Sequence, residues 1–409
     1  MSANQPATPQ YEAFYSLPAQ KRAGRQPAAR GAGTVKPRPD NVQLAFGYPF
    51  PGSFPIDDLT KATGEMLKAE GTSALQYGGG PGVTGLRDFL LERMAKRGMP
   101  AGPDNYLLTY GSAQGLELLA RVLVDPGDLV ITEAPTFFGG LRTFQMQLAD
   151  VKGATVDKDG MNMDELEIIL ASAEAAGKKA KFVYVIPNFQ NPTGTTMSLE
   201  RRKRLLELAD KYDFLIAEDD AYGELRFEGE DLPTLKSMDK SGRVVHFGTF
   251  SKIIAPGVRL GWVIGPAPLI ATMTATRIDG GTAPFAASVV NQYCRSGDLD
   301  KRIAWLRKEY KQRRDAMLGA LEENLPAGKG VSWSMPEGGF FVWLQLPTHV
   351  DSREIYAGAV ANGVSFVDGP VCFPDGGGKN FVRLCFSFND SEKLRQGIKR
   401  LAEVVAPKL

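Results

Sequence analysis

The sequence predicts an α/β fold, with a large domain whose mostly parallel sheet lies between helices and a smaller α+β domain after it. Three observations lead there. From about Leu86 onward, short apolar runs alternate with segments whose apolar residues recur at helical spacing, the pattern of βα units that cover a parallel sheet on both faces. Turn signals such as Asp125-Pro126-Gly127-Asp128 separate these units. After about Gly297 the alternation gives way to a long charged helical stretch and two strand-like runs.

The elements follow in order. Residues 1–40 are rich in Pro, Ala and Gly and read as an N-terminal arm or lid segment. They carry Lys21, Arg22, Arg25, Arg30, Lys36 and Arg38 against Glu12 alone before Pro39. A transit peptide has this balance, and the helix-like start at Tyr11 and Phe14 also fits a lid or a dimer arm. Leu86, Phe89, Leu90 and Met94 mark a helix to Arg97, Tyr106–Thr109 a strand, Gln114–Val124 a helix and Leu129–Thr132 the next strand. Asn162 and Glu165 form a capping pair for a helix to Leu170. Then come a strand at Phe182–Ile186, a helix at Leu199–Tyr212, a strand at Phe214–Ala217 and one that ends before Thr249. The expected division is a large domain over 41–297 and a small one over 298–409, with residues near 41–60 joining the small domain. In the latter, a helix at Leu299–Leu325 precedes strands at Gly339–Leu344 and Phe381–Phe388, between which a helix begins near Ser352.

Composition removes several function classes. The chain has 409 residues, 43% of them hydrophobic, with Lys+Arg 48 against Asp+Glu 47. That balance favours neither nucleic acid nor a charged membrane as partner. No uninterrupted apolar run reaches membrane-spanning length. Three dispersed cysteines argue against a disulfide framework, and a reducing cytoplasm is the expected compartment. Two histidines argue against a histidine metal site or triad.

The chemistry concentrates at strand ends, where open α/β sheets bind ligands. In Thr249-Phe250-Ser251-Lys252…Arg259-Leu260-Gly261-Trp262, a lysine able to react stands seven residues before an arginine able to hold an anion. Gly111-Ser112-Ala113-Gln114-Gly115 follows a strand and opens a helix, so backbone N–H groups and the Ser112 hydroxyl make an anion site. Glu218-Asp219-Asp220-Ala221-Tyr222 places adjacent acids at a strand end without the histidine or third acid of a metal site. Arg383 lies within an alternating strand. Gly80–Gly85 fits G-x-G-x-x-G in spelling, but no strand precedes it, so the dinucleotide context fails.

Together with Pro187-Asn188-Phe189-Gln190-Asn191-Pro192-Thr193-Gly194 and Glu133-Ala134-Pro135-Thr136-Phe137, these motifs resemble, in order, those of the pyridoxal-phosphate-dependent class I/II aminotransferases of fold type I, especially the 2-aminoadipate and kynurenine aminotransferase branch. The resemblance runs from about residue 41 to the C-terminus. It implies that Lys252 bonds covalently to pyridoxal 5'-phosphate and serves as general base and acid, and that Phe137 stacks on the ring. It implies that Asn191 and Tyr222 meet the ring hydroxyl and that Asp219, with Asp220 as the alternative, pairs with the pyridine nitrogen. Ser112, Thr249, Ser251 and Arg259 would surround the phosphate. Ala113 stands where relatives often carry Gln, so one contact is lost there. Arg383 would bind the substrate α-carboxylate, beside Asn191 and the substrate-side residues Gly47 and Tyr48. Tyr77, in Gln76-Tyr77-Gly78, would cross a homodimer interface to the neighbour's phosphate. The implied reaction moves an amino group from an amino acid to a 2-oxo acid, with 2-oxoglutarate expected. The alternative is a lyase, cyclase or oxidative enzyme acting on the same carbanion. Lys252 must be neutral for its role, and the cofactor and Arg259 are expected to lower its pKa.

Overall fold

A computed structural model of the protein describes residues 14–22, 38–80, 82–325, 328 and 330–409. Most of the N-terminal arm therefore lies outside the described residues. Within it, Leu17–Arg22 forms a short helix, and Phe14 is exposed.

A two-residue strand, β1 (Val42–Gln43), is followed by helices at Ile56–Ala74 and Thr84–Lys96. The large sheet then uses β2 (Tyr106–Thr109), β3 (Leu129–Ala134), β4 (Asp150–Asp157), β5 (Gly160–Met161), β6 (Ala180–Val185), β7 (Leu215–Asp219), β8 (Val244–Thr249) and β9 (Gly261–Ile264). Their order across the sheet is β2-β9-β8-β7-β6-β3-β4-β5. Neighbours from β8 to β4 pair in parallel, whereas β9 runs antiparallel to both β2 and β8, and β5 antiparallel to β4. The carboxyl ends of β2, β3, β6, β7 and β8 consequently share one edge with the amino end of β9. The central strands are buried on both faces, as expected where helices cover a parallel sheet. One apolar core lies under Leu116, Leu119, Phe144 and Met273, and a second under Leu166, Leu170, Leu205 and Leu208.

The helix Leu199–Tyr212 has the predicted bounds because Ser198 caps its start and Asp213 leaves it in the left-handed region. The capping pair at Asn162 is half present. The Asn162 side chain accepts from the N–H groups of Asp164 and Glu165, but the Glu165 carboxylate turns away and accepts from Thr155 N–H at 2.8 Å. Elements not expected from the sequence include β4, β9 and the helices Ile56–Ala74, Phe138–Met146, Ala267–Ala275, Pro284–Arg295 and Ser391–Val405.

After the helix Asp298–Asn324 come β10 (Ser332–Trp333), β11 (Phe341–Gln345), the helix Ser352–Ala361, β12 (Val364–Ser365), β13 (Val367–Asp368) and β14 (Phe381–Cys385). An antiparallel sheet runs β10-β11-β14-β13. The strand β1 pairs with β12, so the chain near residue 42 lies with this C-terminal unit. Side chains and backbone donors beyond it hold that segment. Cys385 N–H donates to Leu44 O at 2.8 Å, and Asn389 donates to Gln43 O at 2.8 Å. Ser387 Oγ donates to Tyr48 O at 2.8 Å.

Candidate active site

The shared strand edge opens on a cavity of about 430 Å³, within the roughly 300–1,000 Å³ of small-ligand sites. Its lining brings together Ser112, Ala113, Phe137, Asn191, Asp219, Tyr222, Thr249, Ser251, Lys252, Arg259, Arg383, Gly47 and Tyr48. Every proposed site residue except Tyr77 is thus in one place. Tyr77 is 96% exposed and stays outside this chain's own cavity.

At one end, the helix Ser112–Leu123 starts after Gly111, whose φ of 76° needs glycine and which offers no capping side chain. The first-turn N–H groups at the positive end of the helix dipole have no side-chain cap. Ser112 is the first helical residue here, not the cap. Arg259 Nη2 donates to Tyr110 O at 3.0 Å, beside Gly111. Thr249 Oγ1 donates to Ser251 Oγ at 2.9 Å and accepts from Ser251 N–H at 3.1 Å. Hydroxyls, a helix N-terminus and a guanidinium make this the anion end.

The two acids at the end of β7 have different surroundings, which separates their roles. Asp220 accepts from Arg97 Nη2 and from Asn188 Nδ2, both at 2.7 Å. Burial pushes its carboxyl up, but Arg97, His246 and Asn188 together hold it below the usual range. Asp219 lines the cavity, and its Oδ1 has no hydrogen-bond partner among the described residues. Burial raises its pKa to about 6 against the opposing Tyr184 hydrogen bond. A buried carboxylate oxygen without a partner calls for a donor, and a protonated pyridine nitrogen is such a donor. The chain therefore fits pyridoxal phosphate at Asp219, whereas Asp220 is already engaged by Arg97 and Asn188.

Lys252 follows β8 in a turn and reaches Gly47 O with its Nζ at 2.9 Å. Its pKa falls to about 8, chiefly through burial. Arg259 lowers it as well, as expected, but by less than burial and Arg383. Tyr222 is buried at 5.9 Å from Lys252 Nζ, measured to its ring centre, and burial raises its phenol well above the usual value. Arg383 is buried instead of facing solvent. It donates to Asn191 Oδ1 at 2.8 Å and to Ala45 O at 2.7 Å, and its guanidinium lies 4.4 Å from the Phe341 ring centre.

The rest of the wall includes Phe46, Phe138, Phe341 and Val367, together with Ala45, Gly111, Ile186 and Ala221, and Phe46 and Tyr48 are stacked at 5.0 Å. Phe46 and Phe138 stand next to Gly47 and Phe137 in the sequence, whereas Phe341 lies in a run of consecutive apolar residues that does not single it out. Nothing local marked Val367. Among the described residues, no group of three His, Cys, Asp or Glu side chains could hold a metal, and no helix is long and apolar enough to cross a membrane.

The sequence profile of the family described as "Aminotransferase class I and II" matches residues 42–401. An aromatic-amino-acid aminotransferase of Thermococcus litoralis is 44% identical over 369 residues, covering 90% of this chain and 88% of that one. A 2-aminoadipate transaminase of Thermus thermophilus is 32% identical, covering 90% and 91%. The structure of a kynurenine aminotransferase of Pyrococcus horikoshii superposes with a TM-score of 0.92 at 40% identity, covering 98% of each chain. The chain belongs to the class I and II aminotransferase family and is a pyridoxal-phosphate-dependent aminotransferase of fold type I.

Proposed function

We propose that this aminotransferase takes its amino group from an amino acid with a large apolar side chain, aromatic ones above all, and passes it to 2-oxoglutarate. One observation carries the choice of donor. Beyond the anion end, Arg383 and the reacting Lys252, the cavity wall includes Phe46, Tyr48, Phe138, Phe341 and Val367, and no further basic side chain lines it among the described residues. Such a wall rewards apolar burial, at about 25 cal/mol per Å², and offers no partner to a second carboxylate of the donor. The similar chain from Thermococcus litoralis carries an aromatic-amino-acid name, which supports the same reading.

In this reading Ser112, the Ala113 backbone, Thr249, Ser251 and Arg259 would hold the cofactor phosphate, Phe137 would cover the ring, and Asn191 with Tyr222 would meet the ring hydroxyl. When bound, pyridoxal phosphate supplies an aldehyde for the amine and a ring that withdraws electrons from the α-carbon. Asp219 keeps the ring nitrogen protonated through its free Oδ1. Arg383 orients the donor by its α-carboxylate, and Asn191, Gly47 and Tyr48 bound the same subsite. Lys252 is neutral over a useful range because burial lowers its pKa to about 8, so it can remove the α-proton and return it at the cofactor carbon.

The reading includes a homodimer with shared sites, in which Tyr77 of a second copy reaches the phosphate. The large exposed Leu75, Tyr77 and Ile278 side chains are the surface that such a partner would cover. It also includes a large domain over 41–297, a small one over 298–409 with residues near 41–60, a cytoplasmic location in keeping with three free cysteines, and no nucleic-acid partner.

The test is a screen of amino donors against 2-oxoglutarate. Phenylalanine, tyrosine and kynurenine should give the highest kcat/KM, at least tenfold above aspartate. Faster turnover of acidic donors, or no transfer to 2-oxoglutarate from any donor, would overturn it. Sedimentation should give twice the chain mass, and Tyr77→Phe should weaken cofactor affinity.

A further inference from the structure

Tyr184 is the penultimate residue of β6, opposite Thr132 on β3 and Ala217 on β7. Asp219 is two residues beyond Ala217 and therefore on the same face of the sheet. Such diagonal neighbours lie about 7–8 Å apart at the backbone, within reach of a tyrosine. The Tyr184 hydroxyl spans that gap and donates to Asp219 Oδ2 at 2.8 Å, with both side chains buried. The two carboxylate oxygens are thereby divided, since Oδ2 is taken by Tyr184 and Oδ1 of this cavity-lining residue has no partner among the described residues. We propose that Tyr184 is a positioning residue that aims Asp219 at the ring nitrogen of the cofactor and keeps it anionic.

The tyrosine is itself braced. Phe144 packs on its ring edge to face at 5.3 Å. Gly140, on the helix that begins directly after Phe137, leaves just enough room. A Cβ built there would lie 3.0 Å from Tyr184 Cε1 and 3.4 Å from its hydroxyl. One short helix thus sets both the ring-stacking aromatic and the residue that orients the acid. A hydrogen bond to a charged group favours the charged form, and for Asp219 it opposes burial and the neighbouring Asp220. Burial keeps the Tyr184 phenol protonated, so it remains a donor across the working pH range. The other ionisable groups facing this pair are Glu133 on β3, Tyr222, His246 on β8 and Lys252. Tyr184 makes no contact with the cavity and acts only through Asp219.

The inference rests on the assignment of Asp219 above, and the experiment separates the two. Pyridoxal phosphate is titrated into purified apoprotein, and the dissociation constant is measured for wild type, Tyr184→Phe, Asp219→Asn and the double variant. Tyr184→Phe should weaken binding about tenfold or more and lower kcat with little change in donor KM. In the Asp219→Asn background the same change should cost less than threefold, because the charge that it serves is gone. Gly140→Ala keeps every polar group but pushes on the tyrosine ring, and should weaken binding in the same direction. An unchanged constant for Tyr184→Phe, or an equal loss in both backgrounds, overturns the role of Tyr184 and leaves Asp219 standing. An unchanged constant for Asp219→Asn alone overturns the assignment beneath it.

Discussion

Arg383 Nη1 donates to Asn191 Oδ1 at 2.8 Å, so the side chain assigned to the substrate carboxylate also orients the amide assigned to the cofactor. With its oxygen engaged, the Asn191 amide has its NH₂ group left to donate toward the Tyr222 hydroxyl and the cavity that both residues line. One buried contact between strand β14 and the loop after β6 thus joins the two assigned subsites.

Arg383→Lys replaces a planar fork with a point charge and breaks this contact. Losing one member of a buried charge-assisted pair costs roughly 2–5 kcal/mol, which is a fall in kcat/KM of about 30-fold to several thousandfold. Asn191→Ala should cost less by itself. The two losses should fall short of additive in the double variant, since each removes the same hydrogen bond. Strict additivity would show that the contact carries no coupling.

Asp219 offers a prediction in which stability and activity move apart. Its pKa is raised to about 6 by burial, so between about pH 4 and 6 the folded apoprotein holds a proton that the unfolded chain has lost. Stability falls as pH rises through that window, and the cost is fully present above it. Asp219→Asn keeps an acceptor for Tyr184 and removes the charge. The apo variant should be more stable than wild type at pH 7.5 by about 1–3 kcal/mol, and the gain should shrink toward pH 4. Urea denaturation at the two pH values measures this, while turnover should drop by orders of magnitude. A variant less stable at both pH values would count against the burial argument.

Much of this site was legible because each motif follows a short apolar run, and parallel strands put their carboxyl ends on one edge. The positions of Lys252, Asp219, Asn191 and Ser112 along that edge follow from the sequence in this way. The choice between Asp219 and Asp220 needed the structure, because Arg97 lies more than a hundred residues away and identifies Asp220 only in space. Phe341 and Val367 belong to the smaller sheet and meet the cavity through long-range packing, which no local pattern encodes. The strand β4 was missed because it lies near the sheet's edge, where it is half exposed and lacks a clean apolar run. Likewise, β9 reads as a continuation of the lysine segment, and only its antiparallel register separates it.

Gly261 tests the anion end. A Cβ there would stand 2.6 Å from Gly111 C and Ser112 N, so Gly261→Ala must displace the helix N-terminus or β9. Overpacking of this kind costs about 1–3 kcal/mol and should weaken cofactor affinity along with stability. Gly257 lies in the same loop with nothing within 4 Å of a built Cβ. Gly257→Ala should leave the cofactor dissociation constant within about threefold. Equal effects of the two substitutions would mean that close packing of β9 on the helix start does not shape the site.

Lys252 allows burial and charge to be weighed against each other. A buried amine with a lowered pKa reacts when neutral, so its covalent capture of an added aldehyde should rise with pH through about 8 rather than 10.5. Lys252→Ala should abolish both the capture and turnover. Arg383 and Arg259 push the amine down, whereas Asp219 pulls it up. Arg259→Gln and Arg383→Gln should each move the midpoint upward, and Asp219→Asn should move it downward. Since burial is the largest cause, none of the three should return it to 10.5. A midpoint near 10.5 in either arginine variant would show instead that neighbouring charge, not the dry cavity, makes this lysine neutral.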